Sequence, residues 1–356
     1  MGRVATLPVP LFASSLDEYQ PRIAEKLAEV ARSGRYILGP EVEAFEAAFA
    51  RYLGARHCVG VANGTDALTI ALRAVGVKPG DDVVIPSFTF YATPEAVVAA
   101  GARPVFCDVD PATFCVTAET VEAAVTSRTT AIVPVHLFGN VAPMDDLERF
   151  GVPLVEDAAQ AAGASYRGRR AGALGTVATF SFFPSKNLPC LGDGGAIVTD
   201  DSEVAALARR LRFHGSEDKR TFTEVGYNSR LDEMQAAVLG LLLPELDGWN
   251  ERRRTAAATY ERLGLGEYAE LPIPVDGAEH VYHLYVVRSE ALEGIGTGYY
   301  RVPCHLQPAM REWGSDALEL PGTREAARTN VALPMGKDLT EEQIEEVVQA
   351  CASGST

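Results

Sequence analysis

No apolar run in this chain approaches the ~20 residues that a membrane helix requires. The opening stretch, MGRVATLPVPLF, has neither a long apolar core nor a small-residue cleavage pattern. The expectation is a soluble, cytoplasmic protein. Basic charge is in short supply as well: 32 Lys and Arg against 48 Asp and Glu leave a formal net charge of −16. That argues against nucleic acid or an anionic membrane as partner. A few local cations or helix N-termini can still hold one small anion. The six cysteines, at 58, 107, 115, 190, 304 and 351, form no CxxC and have no histidine at metal spacing. They read as reduced, mostly buried thiols, and no metal site is expected. Repeats and low-complexity tracts are absent too. What remains is 356 residues, 47% of them hydrophobic, enough for one large domain and a smaller one.

The most unusual stretch is 180–195, FSFFPSKNLPCLGDGG. An apolar, strand-like run (179–183) stops at Pro184. Lys186 follows, held between Pro184 and Pro189, and a second strand-like run (196–199) comes after Gly192, Gly194 and Gly195. A lysine on a stiff turn at the end of a buried strand suits an amine that must be desolvated, with a lowered pKa and nucleophilic character. The alternative is a solvated lysine on a hairpin turn.

Ahead of that stretch, helical periodicity covers 21–33 and 40–53, each closed by a glycine. Strands and helices then alternate: strands over 58–62, 82–86, 104–109, 131–135 and 153–156, with helices over 94–100, 118–125 and 145–150 between them. Such units predict an α/β fold with a mostly parallel sheet covered on both faces. Ligands in such sheets sit beyond the carboxyl ends of the strands. Those ends carry Gly64 and Thr65 at a helix start, the aromatic loop 87–93, His136, Asp157 and the Lys186 turn. Gly64-Thr65 has the form of an anion cradle, in which free N–H groups meet the positive helix end. An ordinary cap by Thr65 or Asp66 is the alternative, and no Walker Gly-Lys-Ser/Thr follows. Asp157, after a buried strand, either faces a cation or caps the next segment.

Beyond the lysine, a helix is expected over 202–213, then a polar loop with Lys219 and Arg220, then a long helical run from 231 interrupted at Pro244. The division read from this is a large domain over 1–245 and a small C-terminal α/β domain over 246–356. In the latter, strands are expected at 283–287 and 299–302 and a helix at 340–351. The 288–298 segment between the two strands is short for a parallel crossover.

A phosphate cradle, an aromatic loop, a buried carboxylate and a desolvated lysine together match one ligand, pyridoxal 5′-phosphate. Seven stretches carry a resemblance over about 38–305: SGRYILGPEVEAFE, ANGTDALTIAL, PSFTFYAT, VPVHLFGN, VEDAAQAAGA, FSFFPSKNLPCLGDGGAIVTD and GYNSRLDEMQAAVL. The sequence resembles the DegT/DnrJ/EryC/StrS-type sugar aminotransferases, enzymes of the type I pyridoxal-phosphate fold. The resemblance implies Lys186 as Schiff-base lysine and proton shuttle, and Asp157 on the pyridinium nitrogen. It implies Phe90 stacked on the ring, Gly64, Thr65 and Ser181 on the phosphate, and Gln160 at the ring hydroxyl. Asn228 would reach the cofactor of a second subunit in a homodimer. Lys219, Arg230 and His305 are candidates for the sugar diphosphate or the donor carboxylate, with plain surface charge as the alternative. The implied reaction moves an amino group, from glutamate, to a nucleotide-linked keto-deoxysugar. NSRLDEMQAA is most similar to members that aminate a dTDP-3-keto-6-deoxyhexose in antibiotic sugar pathways. A 4-keto sugar or an inosose is the nearest alternative substrate, and a non-catalytic or regulatory protein on the same scaffold is an alternative of another class.

Overall fold

The structure is a computed structural model that describes residues 9–354. Its centre is a seven-stranded sheet. Three parallel strands, in the order Arg103–Cys107, Asp82–Pro86, Thr129–Ile132, join a four-stranded set ordered Val155–Asp157, Val177–Ser181, Gly195–Thr199, His57–Val61. Parallel bridges Ile132–Leu154 and Val135–Asp157 close the seam between the sets. Only Gly195–Thr199 runs against its neighbours, antiparallel to the strands on both sides. The mostly parallel reading therefore holds, with one reversal. The reversal has a local cause. The turn over 182–194 sends the chain straight back beside Val177–Ser181, so no crossover helix is needed. Lys186 thus does sit in a hairpin connection, as the bland alternative required, yet it is not on the solvated side of it.

Helices cover both faces. Pro40–Leu53 starts with proline at its first position, where a missing N–H costs nothing. The Glu233 carboxylate accepts the N–H groups of Gly39, Glu41 and Val42 at 2.8–3.0 Å, so a residue far along the chain supplies its cap. The helix buries Val42, Phe45, Phe49 and Leu53. Phe49 packs edge-on to Phe180 (5.0 Å), and Phe45 and Phe49 each pack edge-on to Phe182 (5.4 Å). Burying each ring contributes about 2 kcal/mol, and together they fix the strand end from which the lysine turn springs.

The long run after 231 is a helix, Glu233–Leu242, a 3-10 turn at Leu243–Glu245 where Pro244 falls, and a second helix, Leu246–Arg262. A separate apolar cluster joins Ala256, Ala257 and Tyr260 of that helix to Tyr285, Val287, Val331, Leu333, Ile344 and Val347, and takes in Val9 from the N-terminal segment. Two expectations there are corrected. Residues 299–302 form no strand; they are a loop, with Tyr300 at φ 51°. The strand Tyr285–Arg288 pairs antiparallel with Asn330–Leu333, and Thr297 bridges Ala332 from that strand's other edge. The 288–298 segment therefore does not have to span a crossover between adjacent parallel strands. The terminal helix runs Glu341–Gly354. Among the described residues, no helix is long and apolar enough to cross a membrane, and no His, Cys, Asp and Glu group could hold a metal. All six cysteines are buried.

Candidate active site

A cavity of about 360 Å³ opens beyond the carboxyl ends of the central strands. Gly64, Thr65, Phe90, Asp157, Gln160, Ser181 and Lys186 all line it. They come from stretches of chain more than 100 residues apart, brought together because each follows a strand of one sheet.

Helix Gly64–Ala74 points its N-terminus at this cavity. Asn63 is its cap, with Oδ1 accepting the Asp66 N–H at 2.8 Å. Neither Thr65 nor Asp66 supplies that cap, which leaves the Thr65 hydroxyl and the first N–H groups of the helix facing the opening. Glycine is required at 64 because a Cβ there would lie 2.8 Å from Ser181 Cβ. That close approach puts the Ser181 hydroxyl beside the helix end. Donors without acceptors at a positive helix end fit a phosphate.

Asp157 is 6% exposed. Its Oδ2 accepts from Thr93 Oγ1 at 2.9 Å and its Oδ1 from the Ala159 N–H at 3.3 Å. Burial raises its pKa above the usual carboxylate value, against the pull of Thr93, the Ala159 N–H and the Lys186 charge. The capping alternative is thus partly true, since Asp157 does receive a local N–H. That bond is long, and it leaves the carboxylate able to take a proton donor from the cavity.

The Lys186 N–H donates to Phe183 O (2.8 Å), and the Cys190 N–H to Phe182 O (2.7 Å), which holds the turn between the two prolines. The ammonium has no carboxylate at salt-bridge distance among the described residues. Burial lowers its pKa from 10.5 to about 8, with Asp157 opposing. Roughly a tenth of it is therefore free amine at pH 7, far more than for an ordinary lysine, and the free amine is the state a carbonyl needs.

Gln160 is held by a geometry that decides its orientation. Its Oε1 accepts the Phe138 N–H at 2.7 Å, so its amide NH2 is turned outward, 3.2 Å from the Tyr300 hydroxyl. Phe90 is 59% exposed and lines the cavity, so its ring is available to pack against something flat.

Several residues of the site were not anticipated. Thr89 and Thr93 sit four apart in the aromatic loop, at hydroxyl spacing that a helix start would have revealed. Tyr299 and Tyr300 line the cavity in the segment read as strand. His283 lines it too, with Nδ1 3.2 Å from Asn187 Oδ1. The Asn187 amide nitrogen donates to Asn250 Oδ1 and Val281 O, so its oxygen must accept. His283 therefore carries its hydrogen on Nδ1 and offers a lone pair at Nε2. Burial, Lys186 and Arg253 all push its pKa well down.

Lys219, Arg230 and His305, the candidates for substrate, do not line this cavity, and neither does Asn228, which is expected to serve a second subunit's site. His305 is 1% exposed, packed beside Phe106, with Nδ1 2.6 Å from Ser87 Oγ. A sugar cannot touch it in this arrangement. Lys219 is exposed, its ammonium 4.8 Å from the Phe213 ring centre. Arg230 is half-buried, and Asn228 is exposed, bridging Phe213 through its backbone.

The profile of the DegT/DnrJ/EryC1/StrS aminotransferase family matches residues 17–352. The chain belongs to this family. It is therefore an aminotransferase of the pyridoxal-phosphate type, and its α/β scaffold is the family's. A protein of Geobacillus stearothermophilus described as a pleiotropic regulatory protein is 46% identical, covering 97% of this chain and 98% of its own. The dTDP-3-amino-3,4,6-trideoxy-alpha-D-glucose transaminase of Streptomyces venezuelae is 45% identical, covering 98% and 97%. The crystal structure of ntda from Bacillus subtilis, with bound cofactor PMP, superposes with a TM-score of 0.88 at 29% identity, covering 98% of this chain and 85% of that one.

Proposed function

We propose that this aminotransferase moves an amino group from glutamate to the C3 ketone of a dTDP-linked 6-deoxyhexose. The observation that carries the reading is a lysine amine, lowered to about 8, lining one cavity with a buried carboxylate and a free helix N-terminus. The Streptomyces venezuelae relative, named for a dTDP-3-amino sugar, supports the choice of substrate class.

The residues fit pyridoxal phosphate, which when bound supplies an electron sink for the carbon that exchanges a proton. Asp157, a buried carboxylate that lacks a cation of its own, would hold a proton on the ring nitrogen, and that positive charge would offset the cost of its burial. The Gly64 and Thr65 N–H groups and the Ser181 hydroxyl bind the phosphate. Gln160 donates its outward amide hydrogen to the ring hydroxyl. Phe90 covers one ring face and excludes water. Lys186 would hold and hand on a proton at its Nζ beside the reacting carbon, a general acid–base role suited to a pKa near operating pH.

The second subunit of a homodimer would complete the site through Asn228. Its exposure supports this, as do exposed Ile37 and Leu191, which flank the start of helix Glu233–Leu242. Monomers forced by a charged substitution at Ile37 should then lose cofactor; full retention contradicts the shared site. A separate C-terminal apolar cluster beginning at Ala256 supports a small C-terminal domain, while Leu246 and Trp249 pack with the large-domain core, so the division at 245/246 rests on sequence alone. A cytoplasmic location suits six cysteines read as buried thiols.

Incubation with dTDP-linked 3-keto and 4-keto sugars and an inosose, followed by NMR of the products, tests the substrate. Amination at C4 alone, or of the inosose alone, overturns the C3 reading. The name of the Geobacillus relative favours a regulatory role as the second reading. A purified chain with no visible absorbance near ~420 nm after pyridoxal phosphate is added would support that role and sink the enzymatic one.

A further inference from the structure

A second, smaller cavity of about 60 Å³ lies beside the first and shares Phe12, Ser185 and Lys186 with it as a common wall. Its far side holds Ser14, Arg253 and Lys337. Arg253 is 3% exposed. Its guanidinium donates to Tyr282 O and to Ser14 Oγ, both at 3.1 Å, and its Nε–H has no acceptor among the described residues. Both acceptors are neutral. A buried guanidinium without a carboxylate is costly, because nothing replaces the water it lost. Burial accordingly lowers its pKa to about 10, with the Asp338 charge opposing.

The polar part of the remaining lining is rich in donors, set among apolar Phe12, Leu16, Pro184, Pro189 and Trp249. Ser14 Oγ accepts from Arg253 and from the Lys337 N–H, so its own hydrogen remains to give. Ser15 Oγ likewise accepts from the Asp17 N–H. Lys337 is 6% exposed and shares its charge with Asp338 at 2.9 Å. No Asp or Glu lines the cavity. The volume corresponds to about two waters, or one carboxylate group.

We propose that this side cavity binds a carboxylate of the amino donor, with Arg253 as its counter-charge and Ser14 beside it. The inference rests on the aminotransferase reading. The donor's nitrogen reaches Lys186 in the main cavity while its carboxylate passes the Phe12–Ser185 wall. The ketosugar, a neutral ring at its reacting end, has no use for this charge. One enzyme thereby accepts an anionic amino acid and a sugar in turn at one lysine. Arg253 discriminates between the two partners.

The test uses the cofactor-loaded enzyme and its Arg253→Gln and Arg253→Lys variants. Conversion to the pyridoxamine form by L-glutamate, and back by the ketosugar, is followed separately by absorbance. Expected is a roughly 10-fold or larger rise in the glutamate KM for Arg253→Gln, partial recovery in Arg253→Lys, and a ketosugar KM changed less than about twofold. An unchanged glutamate KM overturns the subsite while leaving the aminotransferase intact. A wild-type chain that yields no pyridoxamine form with any amino acid defeats the parent reading, and the subsite with it. Should Arg253→Gln not fold, crystals of the wild-type chain soaked in glutarate decide. Density for a carboxylate against Arg253 and Ser14 supports the site, and water alone there overturns it.

Discussion

Thr93 Oγ1 donates to Asp157 Oδ2 over 2.9 Å, with Thr89 Oγ1 3.1 Å behind it. The bond occupies one carboxylate oxygen from the protein side and turns the other toward the cavity. Thr93→Val keeps the shape and removes the donor, at a cost of about 1–2 kcal/mol to the ionised carboxylate. The expected result is pyridoxal phosphate held roughly 10-fold more weakly, measured by spectroscopic titration of the apo protein. Equal affinity would show that Asp157 is oriented by its strand alone.

Lys186 makes a prediction about stability as well as chemistry. Its folded pKa, about 8, lies below the ordinary 10.5. Between these values the unfolded chain binds the extra proton, so this group makes stability rise with pH. Below that window the folded apo protein carries a desolvated ammonium at full cost. Lys186→Met should therefore stabilise the apo chain at pH 7 by on the order of 2 kcal/mol, with the gain vanishing toward pH 10.5. Urea unfolding at both pH values measures it. The same variant should never develop the visible absorbance of the lysine-bound cofactor.

Glu156, next to Asp157 but facing the other side, accepts from His136 Nε2 (2.9 Å) and from the N–H groups of Gly172, Leu174 and Gly175 at 2.7–2.8 Å. Burial pushes its pKa up, yet His136 and the glycine N–H groups outweigh it and hold the carboxyl below its usual value of 4.5. A depressed pKa contributes stability above the unfolded value, which disappears as pH falls through the folded one. Glu156→Gln is expected to lose about 2–4 kcal/mol at pH 7 and much less under acid conditions. A loss that is the same at both would show that the charge is irrelevant.

Gln160→Glu keeps an acceptor for the Phe138 N–H but replaces the outward amide with a second oxygen. Against a ring oxygen that accepts the Gln160 amide hydrogen, that second oxygen has no hydrogen to give and repels. The cofactor Kd should rise about 10-fold, a change of ~1.4 kcal/mol, whereas Tyr300→Phe should alter it less than threefold. A Glu variant that binds normally would place Gln160 away from the ring hydroxyl.

Local chemistry was legible because it is written at strand ends. Gly64-Thr65, Asp157 and the proline-bounded Lys186 each follow an apolar run, and one sheet suffices to gather them. The antiparallel course of Gly195–Thr199 was not legible, since an apolar run of five residues reads alike in either direction. Residues 299–302 look like a strand by composition, yet Asn330–Leu333 takes the pairing they would need, and Tyr299 and Tyr300 go to the cavity instead. His305 reads as a polar residue available to a ligand; the packing of Ser87 and Phe106 around it removed it from solvent.

The sequence by itself determined the α/β alternation, the lysine and carboxylate at neighbouring strand ends, and the helix start that faces them. Periodicity and turn chemistry act over a few residues, so a single chain displays them. Only the tertiary structure decided which of Arg252, Arg253 and Arg254 lies inside. In sequence the three form one basic run within the long helical stretch after 231. In the fold, Arg253 alone is buried, facing Ser14 from 239 positions earlier, while Arg252 is exposed and Arg254 pairs with Glu251 and Glu279. A charge becomes a binding group only where distant segments exclude water around it, and that exclusion belongs to packing rather than to any stretch of residues.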